Sequence, residues 1–176
     1  MMQPSNSPMD KEASSDTIVQ DGGRALRDVL GHFASGVVIV TGTVSGKPVG
    51  LTCQSFSSLS INPPMVMFCP SSTSSSWGQI KASGAFCINV LEESQREVSN
   101  LFAQRRDDKF DTIDWRAGET GSPLIEGSLA HIDCTVESVF PGGDHDIVLG
   151  RVVDTERRPS GRPLLYYCGQ YEILSR

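Results

Sequence analysis

The chain has 176 residues, of which 38% are hydrophobic and 20% charged. That is enough for one domain burying roughly 70% of its unfolded surface, and too little for a multidomain machine. No run approaches the ~18 uninterrupted apolar residues of a membrane span. The net charge of −6, from 15 Lys+Arg against 21 Asp+Glu, argues against nonspecific affinity for nucleic acid or anionic membrane, so any anionic ligand has to be held by local donors.

Residues 1–20 are rich in Ser, Asp and Pro with little to bury, which predicts a disordered tail ahead of a domain over 21–176. The tail begins with neither a basic stretch nor an apolar run, so cytoplasmic residence is expected. Over Arg24–Ala34, Leu26, Val29, Leu30 and Phe33 recur at helical spacing and Gly36 offers a stop, predicting an amphipathic helix. Val37–Thr43 is β-branched, Ser45-Gly46-Lys47-Pro48 reads as a turn, and Val49–Gln54 is extended again. Phe56–Ile61 continues the pattern, Asn62-Pro63-Pro64 punctuates it, and Met65–Cys69 has the length of a buried strand.

A polar run, Ser71–Ser76, precedes a brief helix around Trp77, Ile80 and Lys81 that Gly84 closes. Ala85–Leu91 predicts another buried strand, and Glu92–Ala103 a helix with Val98, Leu101 and Phe102 inward. Ile132–Glu137 alternates most clearly, followed by a Gly-rich turn at Pro141–His145 and a strand at Ile147–Val153. About seven strands with short peripheral helices and no strand-helix rhythm predict a mainly β, antiparallel, Greek-key-like barrel. A parallel doubly wound sheet is disfavoured because Gly142-Gly143 lies between two strands and no Gly-rich loop opens a helix.

Five cysteines, Cys53, Cys69, Cys87, Cys134 and Cys168, stand apart with no CxxC pair and read as reduced core thiols. His32, His131 and His145 are too scattered to propose a metal site, and no Gly-x-Ser-x-Gly elbow is present, although a Cys-His pair formed in space stays open. Hydroxyls and amides concentrate in Thr52–Ser58 and Ser71–Ser76. Short hydroxyl side chains with exposed backbone N–H groups suit a phosphate, and Ser76-Trp77 at a helix start adds the positive end of a dipole. The alternative is that these stretches are merely turns and caps.

Several blocks occur in the order of the flavin reductase-like, FMN-binding split-barrel family. They are Gly36–Thr41, Thr52–Pro64, Phe86–Leu91, Lys109-Phe110, Gly143-Asp144-His145 and Pro163–Tyr167. The chain resembles that family over roughly residues 24–174. Within it, Cys53–Phe56, Phe68–Pro70, Ser76-Trp77 and Glu126–Ala130 look most like reductase components of two-component monooxygenases acting on secosteroid or aromatic rings. The resemblance implies a split barrel and an NAD(P)H:flavin oxidoreductase that supplies reduced FMN or FAD to a separate oxygenase, with NADH or NADPH as donor. It also implies a homodimer. The alternative is a noncatalytic flavin- or haem-binding module.

Residue by residue, the resemblance places Thr52, Cys53, Gln54, Ser55 and Ser58 along the flavin ring and ribityl chain. Cys69, Pro70, Ser72, Ser74 and Ser75 would reach ribityl and phosphate, Asn89 and Val90 a further flavin-lining strand end, and Phe102 a neighbouring helix. His145 and Tyr171 would lie on the nicotinamide side. No side chain is assigned as catalytic, because hydride passes between two cofactors. Phe56 and Phe102 could equally be core, Asn89 could satisfy backbone, and His145 could be a turn residue. Ser72 and Ser75 stand where relatives often carry Lys or Arg, and the nearest base in sequence is Lys81. Weak flavin binding is the expectation.

Overall fold

A computed structural model describes residues 22–175; the tail expected over 1–20 lies outside them. The first element is helix α1 (Arg24–Leu30), followed by β1 (Ser35–Gly36), β2 (Val38–Val44), β3 (Lys47–Cys53), β4 (Ser57–Ile61) and β5 (Pro64–Phe68). Helix α2 (Ser75–Ser83) leads into β6 (Ala85–Val90), a 3-10 turn (Glu93–Gln95) and α3 (Arg96–Ala103). The remainder is β7 (Trp115–Ala117), β8 (Pro123–Ile125), β9 (Ala130–Gly142), β10 (His145–Arg157), β11 (Leu165–Tyr167) and β12 (Gln170–Glu172).

Seven strands form the main sheet in the order β3-β2-β6-β9-β10-β5-β4. Every neighbouring pair is antiparallel. The sheet does not close: β3 and β4 are its two edges. The mainly β, antiparallel architecture with short helices matches the sequence expectation. The β2–β3 hairpin turns through Ser45 and Gly46, with φ of 50° and 77°, the left-handed pair that matches the twist of the flanking strands.

Strand β2 shows why a continuous apolar run becomes a central strand. Val38 and Val40 enter one core with Phe68, Trp77, Ile80, Phe86, Ile88 and Val148. Ile39, with Val37 just ahead of the strand, enters a second, with Leu91, Phe102, Ile125 and Leu164. Both faces are covered, so each side chain removed from water adds about 1.5–3 kcal/mol. The first core is closed by α2, whose Trp77 and Ile80 are buried, with Trp77 edge-on to Phe68 at 5.5 Å. The second is closed by α3 through Phe102, with Val98 and Leu101 packed against the same core. At Gly50 a Cβ would stand 2.7 Å from the Phe102 ring, so β3 and α3 approach this closely only because the side chain is absent.

Three expectations need correction. The helix predicted over Arg24–Ala34 forms only over Arg24–Leu30, and its periodic residues stay exposed: Val29 is 70% and Phe33 83% accessible. Five short strands, β1, β7, β8, β11 and β12, go beyond the seven predicted; the main sheet alone holds seven. Finally, not every thiol is core. Cys53, Cys87 and Cys134 are buried, Cys69 is half-buried and Cys168 exposed. No helix among the described residues is long and apolar enough to cross a membrane.

Candidate functional site

The open seam of the sheet makes the site. Strand β3 ends at Cys53 and β5 at Phe68, and the segments leaving them are tied together by Ser55. Its hydroxyl donates to the Cys69 carbonyl at 2.8 Å and accepts from the Cys69 N–H at 2.9 Å. Cys53 Sγ lies 3.1 Å from the same hydroxyl. Beside this seam a cavity of about 1280 Å³ runs along the whole of β3, under the serine-rich loop and past the end of α3. A pocket for one drug-sized ligand has about 300–1,000 Å³, so this one is larger than a single such ligand needs.

The serine loop is the cavity's polar wall. Ser74 caps α2, its hydroxyl accepting from the Trp77 N–H at 3.3 Å. Ser71, Thr73, Ser74, Ser75 and Ser76 all line the cavity. Beside them, and bonded to them, stands the β9–β10 turn. His145 Nδ1 donates to Asp144 Oδ1 at 2.7 Å, which holds the Asp144 carboxyl below its usual range. That leaves His145 Nε2 with no protein partner among the described residues, on a side chain that lines the cavity.

The third wall comes from α3 and the C-terminal strands. Thr52 donates to the Ser99 carbonyl at 2.7 Å. Tyr171 donates to Asn100 Oδ1 at 2.9 Å, which leaves its oxygen to accept from Ser99 Oγ at 2.9 Å. Tyr166 packs edge-on to Tyr171 at 5.3 Å, and the Arg96 guanidinium sits 5.3 Å from the Tyr171 ring centre. Lys109 is 5% exposed. Its ammonium donates to the carbonyls of Gly50 and Phe102, each at 3.1 Å, so a cation meets the negative end of α3. Burial lowers its pKa.

Of the residues expected at a flavin site, Thr52, Cys53, Gln54, Ser55, Cys69, Pro70, Ser74, Ser75, Phe102, His145 and Tyr171 line this one cavity. Four do not. Ser72 is spent on the β9–β10 turn, its N–H and hydroxyl both donating to the Asp144 carbonyl at 3.0 and 2.9 Å. Ser58 sits in the β4–β5 pair opposite Val66. Val90 packs against the first core. Asn89 is fully buried, with Nδ2 donating to the Ile39 carbonyl and Thr41 Oγ1 at 3.1 and 3.0 Å, and Oδ1 accepting from the Ile125 N–H at 2.7 Å. Its amide serves the fold.

The base nearest the serine loop in sequence does not line the cavity. Lys81 pairs with Asp146 at 3.1 Å, whereas Lys47, Arg105, Arg106 and Lys109 line the cavity. Arg106 is tied to Asp108, but Lys47 and Arg105 have no ion-pair partner among the described residues. Lys109-Phe110 already stood among the resembling blocks; nothing in the sequence signals the others. The buried thiols are poor nucleophiles. Burial raises the pKa of Cys53 and Cys87 and pushes Cys134 up to about 12, so they stay protonated at neutral pH. Hydroxyls and amides facing a wide cavity edged by tyrosines form a donor set suited to a flavin's ring edge, ribityl chain and phosphate.

Comparison with known proteins agrees. The family model described as a flavin reductase like domain matches residues 30–175. The reductase subunit HsaB of a flavin-dependent monooxygenase from Mycobacterium tuberculosis is 53% identical over 150 residues, 84% of this chain and 80% of that relative. The solved structure of nitrilotriacetate monooxygenase component B from Mycobacterium thermoresistibile superposes with a TM-score of 0.86 at 50% identity, covering 92% of this chain and 89% of that one. The Streptomyces globisporus NADH:FAD oxidoreductase SgcE6, solved with NAD and FAD fragments, gives 0.81 at 37% identity, covering 85% and 91%.

Proposed function

Because the chain belongs to the flavin reductase-like family, we propose that it is an NAD(P)H:flavin oxidoreductase supplying reduced FMN or FAD to a separate flavin-dependent oxygenase. One observation carries this reading. The cavity along β3 is larger than a single drug-sized ligand needs and is lined together by Thr52–Ser55, the serine loop, His145 and Tyr171. A bound flavin supplies the hydride acceptor, and the nicotinamide nucleotide supplies the hydride.

The chain's own task is positional. Thr52–Ser55 offers backbone and side-chain donors to the ring edge, with Thr52 held in place by its bond to Ser99. Ser74 and Ser75 address the ribityl chain and phosphate. His145, oriented by Asp144, and Tyr171, oriented by Asn100, bound the nicotinamide side. Holding two planar rings face to face makes an encounter effectively unimolecular, which requires no protein nucleophile.

The protein acts as a cytoplasmic homodimer without nucleic-acid partners. Exposed Leu26, Val29 and Leu30 on α1, with Phe33 just beyond, form the apolar surface that supports the dimer. Val66, Phe68 and Leu164, by contrast, are buried in the chain's own cores and are not available to it. The test of function is a steady-state assay crossing NADH and NADPH with FMN, FAD and riboflavin. Nicotinamide oxidation is expected only when flavin is added, and equal oxidation in flavin-free buffer overturns the proposal.

A further inference from the structure

The serine loop and the turn bearing His145 are far apart in sequence, yet one group of bonds fastens each to the other. Asp146 N–H donates to the Pro70 carbonyl at 3.0 Å, and Ser72 N–H to the Asp144 carbonyl at 3.0 Å. Ser71 forms a β-bridge with His145. The side-chain anchor is Asp146 Oδ2, which accepts from the indole N–H of Trp77 at 2.8 Å and from Lys81 Nζ at 3.1 Å. Trp77 is 1% exposed, so its indole N–H is removed from water and depends on this carboxylate. The Trp77 backbone N–H is in turn the group that Ser74 caps.

We propose that Asp146, which lies outside the cavity, is a positioning residue that holds the phosphate-facing serine loop in register with His145. This rests on the reading of the cavity as a flavin and nicotinamide site. The loop continues directly into α2, and α2 is pinned at its third residue to the strand that carries His145. Neither wall shifts without the other. Loss of the carboxylate frees the start of α2 from β10, and the two hydroxyls nearest that start, Ser74 and Ser75, lose their fixed direction. A ligand feature that depends on the loop is affected first, namely the flavin phosphate. Nicotinamide binding follows, because His145 is the residue preceding Asp146.

The experiment compares Asp146→Ala, Asp146→Asn and Trp77→Phe with wild type, titrating FMN and riboflavin by flavin fluorescence and measuring NADH kinetics. Asp146→Ala and Trp77→Phe are expected to weaken FMN roughly tenfold and riboflavin less than about twofold, because only FMN carries the phosphate. The apparent Michaelis constant for NADH should rise severalfold with kcat nearly unchanged. Asp146→Asn keeps an acceptor oxygen for the indole and should recover most of the FMN affinity. General loosening of the fold would weaken both flavins in parallel. Should Asp146→Ala not fold, Trp77→Phe decides, since it keeps a ring against Phe68 and removes the indole N–H together with part of the ring volume, a packing loss that by itself would weaken both flavins alike. An unchanged FMN-to-riboflavin ratio, or an unchanged NADH constant, overturns the role of Asp146 while leaving the flavin site standing. Wild type that binds neither flavin overturns both.

Discussion

Replacing Asn89 with alanine separates a residue that holds the fold from one that holds a ligand. Its amide makes three close bonds within the buried layer between β2, β6 and β8: 3.1 Å to the Ile39 carbonyl, 3.0 Å to Thr41 and 2.7 Å from the Ile125 N–H. Thr41 retains the Pro123 carbonyl as acceptor at 2.5 Å, but the Ile125 N–H keeps nothing. Orphaning one buried donor costs about 1–3 kcal/mol, and the remaining lost bonds add about 0.5–1.5 each. We expect a total near 3 kcal/mol, which for a chain of this size lowers Tm by roughly 6–12 °C. The assay is thermal unfolding by circular dichroism, paired with FMN titration well below the transition. Flavin affinity should stay within about twofold of wild type, because the side chain does not reach the cavity. An unchanged Tm together with a tenfold loss of FMN affinity would refute this reasoning.

Ser75→Arg places a charged fork where a neutral hydroxyl stands and should tighten FMN about tenfold, or 1.4 kcal/mol, with riboflavin nearly unaffected; parallel tightening of both would mean that the phosphate lies elsewhere. His145→Ala should raise the apparent Michaelis constant for NADH more than that for flavin, and unchanged kinetics for both would leave His145 a turn residue. Trp77 and Lys81 hold the Asp146 carboxyl below its usual range. The stability it contributes is therefore present above the ordinary carboxylate value of about 3.9 and is lost as pH falls through the lower folded value. Asp146→Asn should flatten the acid side of the Tm-versus-pH curve, and an identical acid limb in both proteins would contradict the pairing. Phe33→Asp should convert a dimer to a monomer in light scattering at micromolar concentration, and a dimeric variant would place the interface away from α1.

Much of the fold is local and was therefore legible. Continuous apolar runs mark β2 and β6, alternation marks β9, β-branched residues mark β10, and the left-handed conformations at Ser45 and Gly46 end β2 where the turn residues stand. Apolar spacing located α3 and its inward Phe102. The same spacing in α1 predicts a helix but not what covers it, since periodicity reports a face without naming its partner. Strands of two or three residues, such as β1, β11 and β12, are too short to show any period, and exist because longer elements bring them together. The candidate site divides the same way. Hydroxyl clusters at Thr52–Ser58 and Ser71–Ser76 are visible as composition, but side-chain direction is not. Ser75 faces the cavity while Ser72 spends its hydroxyl on Asp144. Asn89 resembles a ligand-binding amide until β2 and β8 surround it. Lys47 and Lys109 are 62 positions apart and share a wall only because β3 runs beneath the end of α3. Backbone preference acts between neighbours in the chain, and so it can be read from the chain; which polar groups remain unpaired and face a ligand is decided only after every buried donor and acceptor has found its partner across the fold.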